Sequence, residues 1–306
     1  MRIRMFPLSV LVLVLAVFAV AAEAQKYSAW SAPVNLGAVV NTAAGDTCPA
    51  ISKNGLTLYF ARAASEIWFT TRESLTAPWV PPQRLDAPIN LTGSVNFCPV
   101  LVVNGHYLYF VSTRPGGCGG NDMYVSFRKD KNDHFGWETP VNLGCQVNSP
   151  QSDTRPSPFE GDDGTEYLYF SSNRPGGVGF MDIYVSTMQS DGTFGPASLV
   201  EGLNTTSIDA RPNVRERDGL EVFFDSNRPG GSGPFDLWTS TRASVSDPWS
   251  PPTNLGPLVN SSVTEQRPSL SWDGTALYFL SDRTGGSGAL DLWVTTRTKL
   301  KGHDLP

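Results

Sequence analysis

The sequence predicts an all-β fold, a five-bladed β-propeller of four-stranded antiparallel blades, from three observations. A motif that runs from Ser172 to Gly177 and continues at Asp182 occurs in four copies, and a shortened copy lies at 61–68. The copies follow one another at intervals of about 50 to 60 residues, a period typical of propeller blades. No window shows a sustained helical period of apolar residues, so almost no helix is expected.

Each copy supplies four short strands, which we call A to D in chain order. Strand A follows an Arg-Pro or Cys-Pro dipeptide, and a turn with Asn-Gly or Asp-Gly, a strong hairpin signal, separates it from strand B. Strand B carries the apolar pattern of Leu168 to Phe170. A glycine-rich turn leads to strand C, and strand D contains the proline-rich segment that follows Trp137 or its equivalent. The five hairpin dipeptides begin at Asn54, Asn104, Asp163, Asp218 and Asp273.

The order of the strands predicts how the ring closes. The mature chain starts with a D strand at 30–36 and ends with a C strand at 291–296. We therefore expect the N-terminal strand to complete the last blade, which removes the exposed sheet edges of an open array. The prolines agree with this order, because each D segment contains one, and an outermost strand tolerates a missing donor. These prolines are Pro33, Pro81, Pro140, Pro196 and Pro251.

The N-terminal segment predicts export. Arg2 and Arg4 precede an apolar run at 6–22, and a small-residue cleavage site ends at Ala24, so 1–24 is predicted to be a signal peptide. An uncleaved anchor helix is the alternative. The rest is predicted to form a single propeller over 25–297 and a C-terminal tail over 298–306, without a later membrane span.

The charge balance and the spacing of cysteines and histidines indicate which partners and cofactors the chain can bind. The chain has 23 basic and 29 acidic residues and no basic run, a balance that disfavours nucleic acid. We expect no cofactor and no metal, since Cys-x-x-Cys spacing is missing and His106, His134 and His303 are scattered. A monomer is expected.

These motifs resemble the WD40-like propeller repeat of the TolB type, found in bacterial envelope proteins. The resemblance rests on the Asp-Gly turn, the Leu-Tyr-Phe strand, the Ser-x-Arg-Pro-Gly-Gly turn, the Asp-x-Tyr or Asp-x-Trp strand and the Pro-x-Asn-Leu-Gly segment, and it covers nearly the whole mature chain. It implies an extracytoplasmic propeller that binds a ligand, and it implies no reaction.

Charged residues before strand A are the candidate ligand site. Strand A is innermost in a blade, so its start lies at one mouth of the central channel. An arginine there is preceded by an acid two residues upstream in three blades. The group could form internal ion pairs between blades, or a polar funnel for a carboxylate or sugar-like ligand. Its members are Arg155, Arg211, Arg267, Asp153, Asp209 and Glu265.

Repeated residues of the glycine-rich turn are predicted to be structural. An aspartate at the start of strand C is expected to accept hydrogen bonds from turn amides, with a turn arginine as a second partner. Aromatic residues in strand C, such as Tyr184, are expected to pack between blades rather than to stack on sugars. The aspartates are Asp122, Asp182, Asp236 and Asp291, and the arginines are Arg114, Arg174, Arg228 and Arg283.

The four cysteines are predicted to form two disulfides in an oxidising compartment. Cys48 and Cys98 occupy the same repeat position in adjacent blades, and their pairing requires Cα atoms within about 7 Å. Cys118 lies in a B–C turn and Cys145 in the following D–A connection, and both connections open on one face.

The function predicted from the sequence is a secreted or periplasmic, non-catalytic binding module for a protein or glycan at the channel mouth. The alternative is a glycoside hydrolase, which needs two carboxylates on either side of a sugar. Blade 1 lacks the long glycine-rich turn, and its Asp46 and Glu66 are the unusual acidic candidates for that alternative.

Overall fold

The computed structural model describes residues 27–300 and confirms the five-bladed β-propeller. The predicted signal peptide, 1–24, lies outside the described residues, and the tail is described only as far as 300. Twenty strands form five antiparallel sheets of four, and residues 27–300 contain no helix able to span a membrane.

The blades follow the chain with strand A innermost. Blade 1 contains β2 (Asp46–Ile51), β3 (Thr57–Arg62), β4 (Glu66–Thr71) and β5 (Gln83–Arg84). Blade 2 contains β6 (Asn96–Leu101), β7 (Tyr107–Ser112), β8 (Asp122–Phe127) and β9 (Val141–Asn142). Blade 3 contains β10 (Asp153–Glu160), β11 (Glu166–Ser172), β12 (Asp182–Thr187) and β13 (Ser198–Leu199). Blade 4 contains β14 (Asp209–Val214), β15 (Glu221–Ser226), β16 (Asp236–Thr241) and β17 (Thr253–Asn254). Blade 5 contains β18 (Glu265–Leu270), β19 (Ala276–Ser281), β20 (Asp291–Thr296) and β1 (Val34–Asn35).

The ring closes as the strand order predicts. β1 pairs with β20, and Val34 lies opposite Val294. The backbone N–H of Ser31 donates to the carbonyl of Thr296 at 2.7 Å, so the contact extends beyond the two residues of β1. An isolated bridge between Tyr27 and Lys299 lengthens it further. The N-terminal segment therefore acts as the outer strand of the last blade.

Apolar side chains of strand B fill the space between neighbouring blades. At least one phenylalanine in each strand B is fully buried, and burial of such a side chain contributes roughly 1.5–3 kcal/mol to stability. The five at the shared repeat position are Phe60, Phe110, Phe170, Phe224 and Phe279. The strand C aromatics are buried or nearly so, and a turn arginine lies over each ring, for example Arg174 at 4.9 Å from the centre of Tyr184. These rings form inter-blade packing that no sugar can reach.

The glycine-rich turns are held by the aspartate at the start of strand C. In blade 3 the Asp182 carboxylate accepts the N–H of Val178 at 2.9 Å and that of Gly179 at 3.1 Å. A Cβ on Gly177 would lie 2.0 Å from Asp182 Oδ2, so the turn requires glycine there. The equivalent carboxylates accept two amides each in blades 2, 4 and 5, as shown by Asp122, Asp236 and Asp291.

Both disulfides are formed, which confirms the predicted pairing. The Cα atoms of Cys48 and Cys98 are 4.8 Å apart on adjacent innermost strands. Those of Cys118 and Cys145 are 5.5 Å apart on the face where the B–C and D–A connections meet. The first bond ties blades 1 and 2 together beside the channel.

Candidate active site

Each strand A is kinked at the dipeptide that the sequence singles out. Arg155, Arg211 and Arg267 have φ of 55°, 57° and 58°, and the two cysteines at the same repeat position have φ of 51° and 47°. The strand register shifts at each of these points. Positive φ is uncommon for residues other than glycine, so this bulge is a feature that composition alone does not predict.

The acids that precede these arginines pair with the turn arginines. Asp153 Oδ1 lies 2.6 Å from Arg174 Nη2, and Asp209 Oδ1 lies 2.5 Å from Arg228 Nη2. Both carboxylates are fully buried. Glu265 is held in the same way by Arg283 at 2.8 Å, whereas in blade 2 Arg114 donates to Asn96, at 3.1 Å. The turn arginines thus pair with the strand A carboxylates and not with the turn aspartates.

The channel arginines have other partners. Arg211 Nη1 lies 2.5 Å from Asp225 of strand B. Arg155 Nη2 reaches across the channel to the carbonyls of Pro49 and Pro268, at 3.1 and 2.5 Å. Arg155 is 1% exposed, whereas Arg211 and Arg267 are half-buried, so the three arginines differ in their access to solvent.

The unusual acids of blade 1 are engaged as well. Asp46 Oδ1 lies 2.8 Å from Arg62 Nε, and this carboxylate is fully buried. Glu66 Oε1 lies 2.9 Å from Arg84 Nε at the surface. Both carboxylates are therefore engaged in ion pairs, and neither lines the pocket described below.

An open pocket lies at the other end of the strands, where the A–B hairpins meet the C–D connections. Its volume is about 590 Å³, and blades 2 to 5 contribute to its walls. Three glutamates line it, Glu160, Glu166 and Glu216, together with an arginine, Arg217. Tyr107, Tyr109, Phe159, Phe194 and Trp272 supply aromatic surface. Carboxylates beside aromatic rings in a concave site can bind and polarise a sugar.

The pocket lies where the repeat is broken. The residue five positions after the kink differs from blade to blade, in contrast to the repeated motif around it. This position carries Lys53, Val103, Glu160, Glu216 and Trp272 in blades 1 to 5. The A–B connection is also longer in blades 3 and 4, because the hairpin dipeptide follows Arg155 and Arg211 at greater spacing than it follows Arg267.

Glu160 and Glu166 form a cross-strand pair. They are directly opposite each other where β10 and β11 meet, at the tip of a hairpin whose strands are the longest within residues 27–300. Side chains in such a pair point to one face of the sheet. Burial, and then the negative charge of Glu160, raise the pKa of the Glu166 carboxyl above its ordinary value.

Glu216 has the strongest perturbation among the pocket acids. Its side chain is half-buried against the pocket wall. The surrounding protein removes water from the carboxyl group, and this desolvation raises its pKa to about 8. The ammonium group of Lys53 opposes the shift. The Lys53 ammonium group is 4.3 Å from the centre of the Trp272 indole. Trp272 belongs to blade 5, which lies between blade 4, with Glu216, and blade 1, with Lys53. At neutral pH Glu216 is therefore a proton donor.

No family model and no curated protein matches the sequence. Among solved structures, the chain is similar to a thermostable family-43 glycoside hydrolase, with 17% identity, a TM-score of 0.60 and coverage of 84% of this chain and 91% of that one. It is similar to an α-L-arabinofuranosidase from Lactobacillus brevis, with 16% identity, a TM-score of 0.58 and coverage of 85% and 93%. It is also similar to an endo-arabinase from Bacteroides thetaiotaomicron, with 13% identity, a TM-score of 0.58 and coverage of 90% and 99%.

These comparisons correct two predictions. The assignment to the WD40-like repeat of the TolB type is wrong, since the structural neighbours are five-bladed glycoside hydrolases. A four-stranded repeat with glycine-rich turns specifies blade geometry, which unrelated propellers share. The prediction of a non-catalytic binding module is contradicted by the same neighbours, which favour the alternative of a carbohydrate-active enzyme. At this level of identity the likeness establishes the fold alone, and the chemistry must come from the site.

Proposed function

We propose that this protein is a glycoside hydrolase that acts at the pocket containing Glu160, Glu166 and Glu216. The observation that carries the proposal is that three carboxyl groups line one open pocket, and that desolvation raises the pKa of one of them, Glu216, to about 8. Glycoside cleavage needs one carboxylic acid to protonate the leaving oxygen and one carboxylate to act on the anomeric carbon or on a water.

We assign these roles to the three glutamates from the surroundings of each carboxyl group. Glu216 is the general acid, because desolvation keeps its proton in place at neutral pH. The Glu160–Glu166 pair supplies the carboxylate. Burial, and then repulsion from Glu160, raise the pKa of Glu166. Glu160 holds the same repeat position as Glu216 in the neighbouring blade, so we assign Glu160 as the base or nucleophile and Glu166 as a positioning residue.

The aromatic wall supplies binding. Trp272 and the exposed Tyr107 line the same pocket as the carboxyl groups, and rings of this kind stack on the apolar face of a sugar. The phenol of Tyr109 is buried, and burial raises its pKa, so that it remains a neutral hydrogen-bond donor. Since the structural neighbours include arabinases, arabinofuranosidases and a xylosidase, we propose arabinose- or xylose-containing polysaccharides as substrates.

The cysteines support an oxidising compartment. Two disulfides are stable in oxidising surroundings. Together with the predicted signal peptide at 1–24, they support secretion to the periplasm or beyond, where polysaccharides are available.

The test is turnover of soluble arabinan, arabinoxylan and xylan by the wild type and by Glu216→Gln. Release of reducing sugar by the wild type is expected, with a loss of about 10²- to 10⁴-fold in kcat in the variant, since the amide cannot donate a proton to the leaving group. Glu201→Gln, an exposed carboxylate outside the pocket, is the matched control and should keep full activity. A folded wild type that releases no sugar from any of the three, or a Glu216→Gln variant with unchanged kcat, would contradict the proposal.

A further inference from the structure

The middle of the channel holds more positive than negative charge. Arg155, Arg211 and Arg267 converge there, and Asp225 is the carboxylate that hydrogen-bonds to this group. Three guanidinium groups against one carboxylate leave an excess of two positive charges. Moving unpaired charge out of water costs several kcal/mol for each ion, so such an excess calls for a counter-ion.

Several donors of these arginines lack a protein acceptor within 27–300. Nε and Nη1 of Arg155 are buried without a hydrogen-bond partner, and so is Nε of Arg267. Arg267 Nη1 has only the sulfur of Cys48, at 3.1 Å, which is a weak acceptor. Buried donors are nearly always satisfied in folded proteins, so three unsatisfied nitrogens in one cluster indicate a bound acceptor.

Burial and mutual repulsion lower the pKa values of the channel arginines. Burial lowers the pKa of Arg155 to about 10, and burial followed by repulsion from Arg211 lowers that of Arg267 to about 9. Both remain protonated at neutral pH. A negative ion between them would remove the repulsion and satisfy the donors together.

We propose that Arg155 and Arg267 bind a small inorganic anion of the size of chloride inside the channel. The size follows from burial: Arg155 is 1% exposed and is anchored to the carbonyls of Pro49 and Pro268, so an acceptor for its remaining nitrogens must fit among buried strands. The site is independent of the glutamate pocket, which lies at the opposite end of strand A. Its effect is structural, because the ion lies between strands of blades 1, 3 and 5.

The proposal predicts stabilisation that is specific to small anions. Thermal unfolding of the full mature chain should be followed in sodium chloride, bromide or nitrate and in sodium gluconate, at equal sodium concentrations. A ligand at about 100 times its Kd stabilises enough to raise the Tm of a domain of this size by several degrees, so a saturable rise of about 5 to 10 °C is expected over gluconate. Equal rises in gluconate and in the small anions would reduce the effect to ionic strength and overturn the proposal.

Variants localise the effect. In Arg155→Met the anion-dependent rise should be lost, whatever the Tm of the variant in gluconate. Arg228→Gln breaks a paired arginine of the turn and should lower Tm while keeping the anion-dependent rise. Retention of the rise in Arg155→Met would refute the site. If that variant does not fold, diffraction from wild-type crystals grown in bromide decides: an anomalous peak within hydrogen-bond distance of Arg155 and Arg267 supports the site, and bromide found only at the surface refutes it.

Discussion

A chain that lacks residues 25–37 is expected to lose cooperative unfolding and to aggregate. The deletion removes the outer strand of blade 5 and exposes the edge of β20. It also removes Trp30, whose ring packs edge-on against Phe223 at 5.9 Å and under the guanidinium of Arg297 at 4.5 Å. Trp30 is half-buried, so its loss costs less than the roughly 3–5 kcal/mol of a fully buried tryptophan, and each lost backbone hydrogen bond adds about 1 kcal/mol. That sum approaches the roughly 5–15 kcal/mol stability of an ordinary domain.

The measurement is calorimetric unfolding of the truncated chain beside the chain that begins at residue 25. A synthetic peptide of 25–37 supplied in excess should restore the single transition, because it can pair with β20 as β1 does. A scrambled peptide of the same composition is the control and should restore nothing. A truncated chain that melts in one transition at the wild-type temperature would show that the N-terminal strand does not hold the ring together.

The architecture can be read from the sequence because each blade repeats the same local rules. The Asp-Gly turn, the buried strand B and the aspartate that holds the next turn all have short-range causes, and the structure places them in every blade that carries them. Ring closure also follows from order alone, since a chain that starts with strand D and ends with strand C has one way to complete its last sheet.

The partners of charged groups cannot be read in this way. Asp153 is two residues from Arg155 in sequence, yet it pairs with Arg174, because the positive φ of Arg155 turns that side chain into the channel. Among residues other than glycine, such a backbone state is set by the surrounding sheet and has no clear local signature. Nearness in sequence therefore does not indicate which groups pair at the channel.

The candidate active site was missed for a related reason. A search for repeated residues finds the positions that every blade needs for folding, and an asymmetric site lies where the repeat changes. The useful signals were the glutamates at 160 and 216 and the longer A–B connections of blades 3 and 4. Both can be seen in the sequence, but only the fold shows that they face one pocket.

Replacing Glu216 by glutamine is expected to stabilise the protein at alkaline pH and to leave stability unchanged at low pH. The folded pKa of this carboxyl is about 8, against an ordinary value of 4.5. Below pH 4.5 the group is protonated in both folded and unfolded chains and costs nothing. As pH rises toward 8 the unfolded chain gains by ionising while the folded chain does not, so the wild type loses stability. At about 1.4 kcal/mol per pKa unit, the variant should gain roughly 3–5 kcal/mol by pH 9.

Urea unfolding of the wild type and Glu216→Gln at pH 4, 6, 7.5 and 9 measures this difference directly, because other titrating groups contribute equally to both. The curves should meet at pH 4 and separate progressively above pH 5, whereas Glu201→Gln should follow the wild type throughout. Parallel curves would show that Glu216 has an ordinary pKa and would remove its claim to be the general acid. The expected gain in stability bears on function. A general acid must keep its proton in the folded state, and keeping Glu216 protonated lowers the free energy of unfolding of the wild type above pH 5.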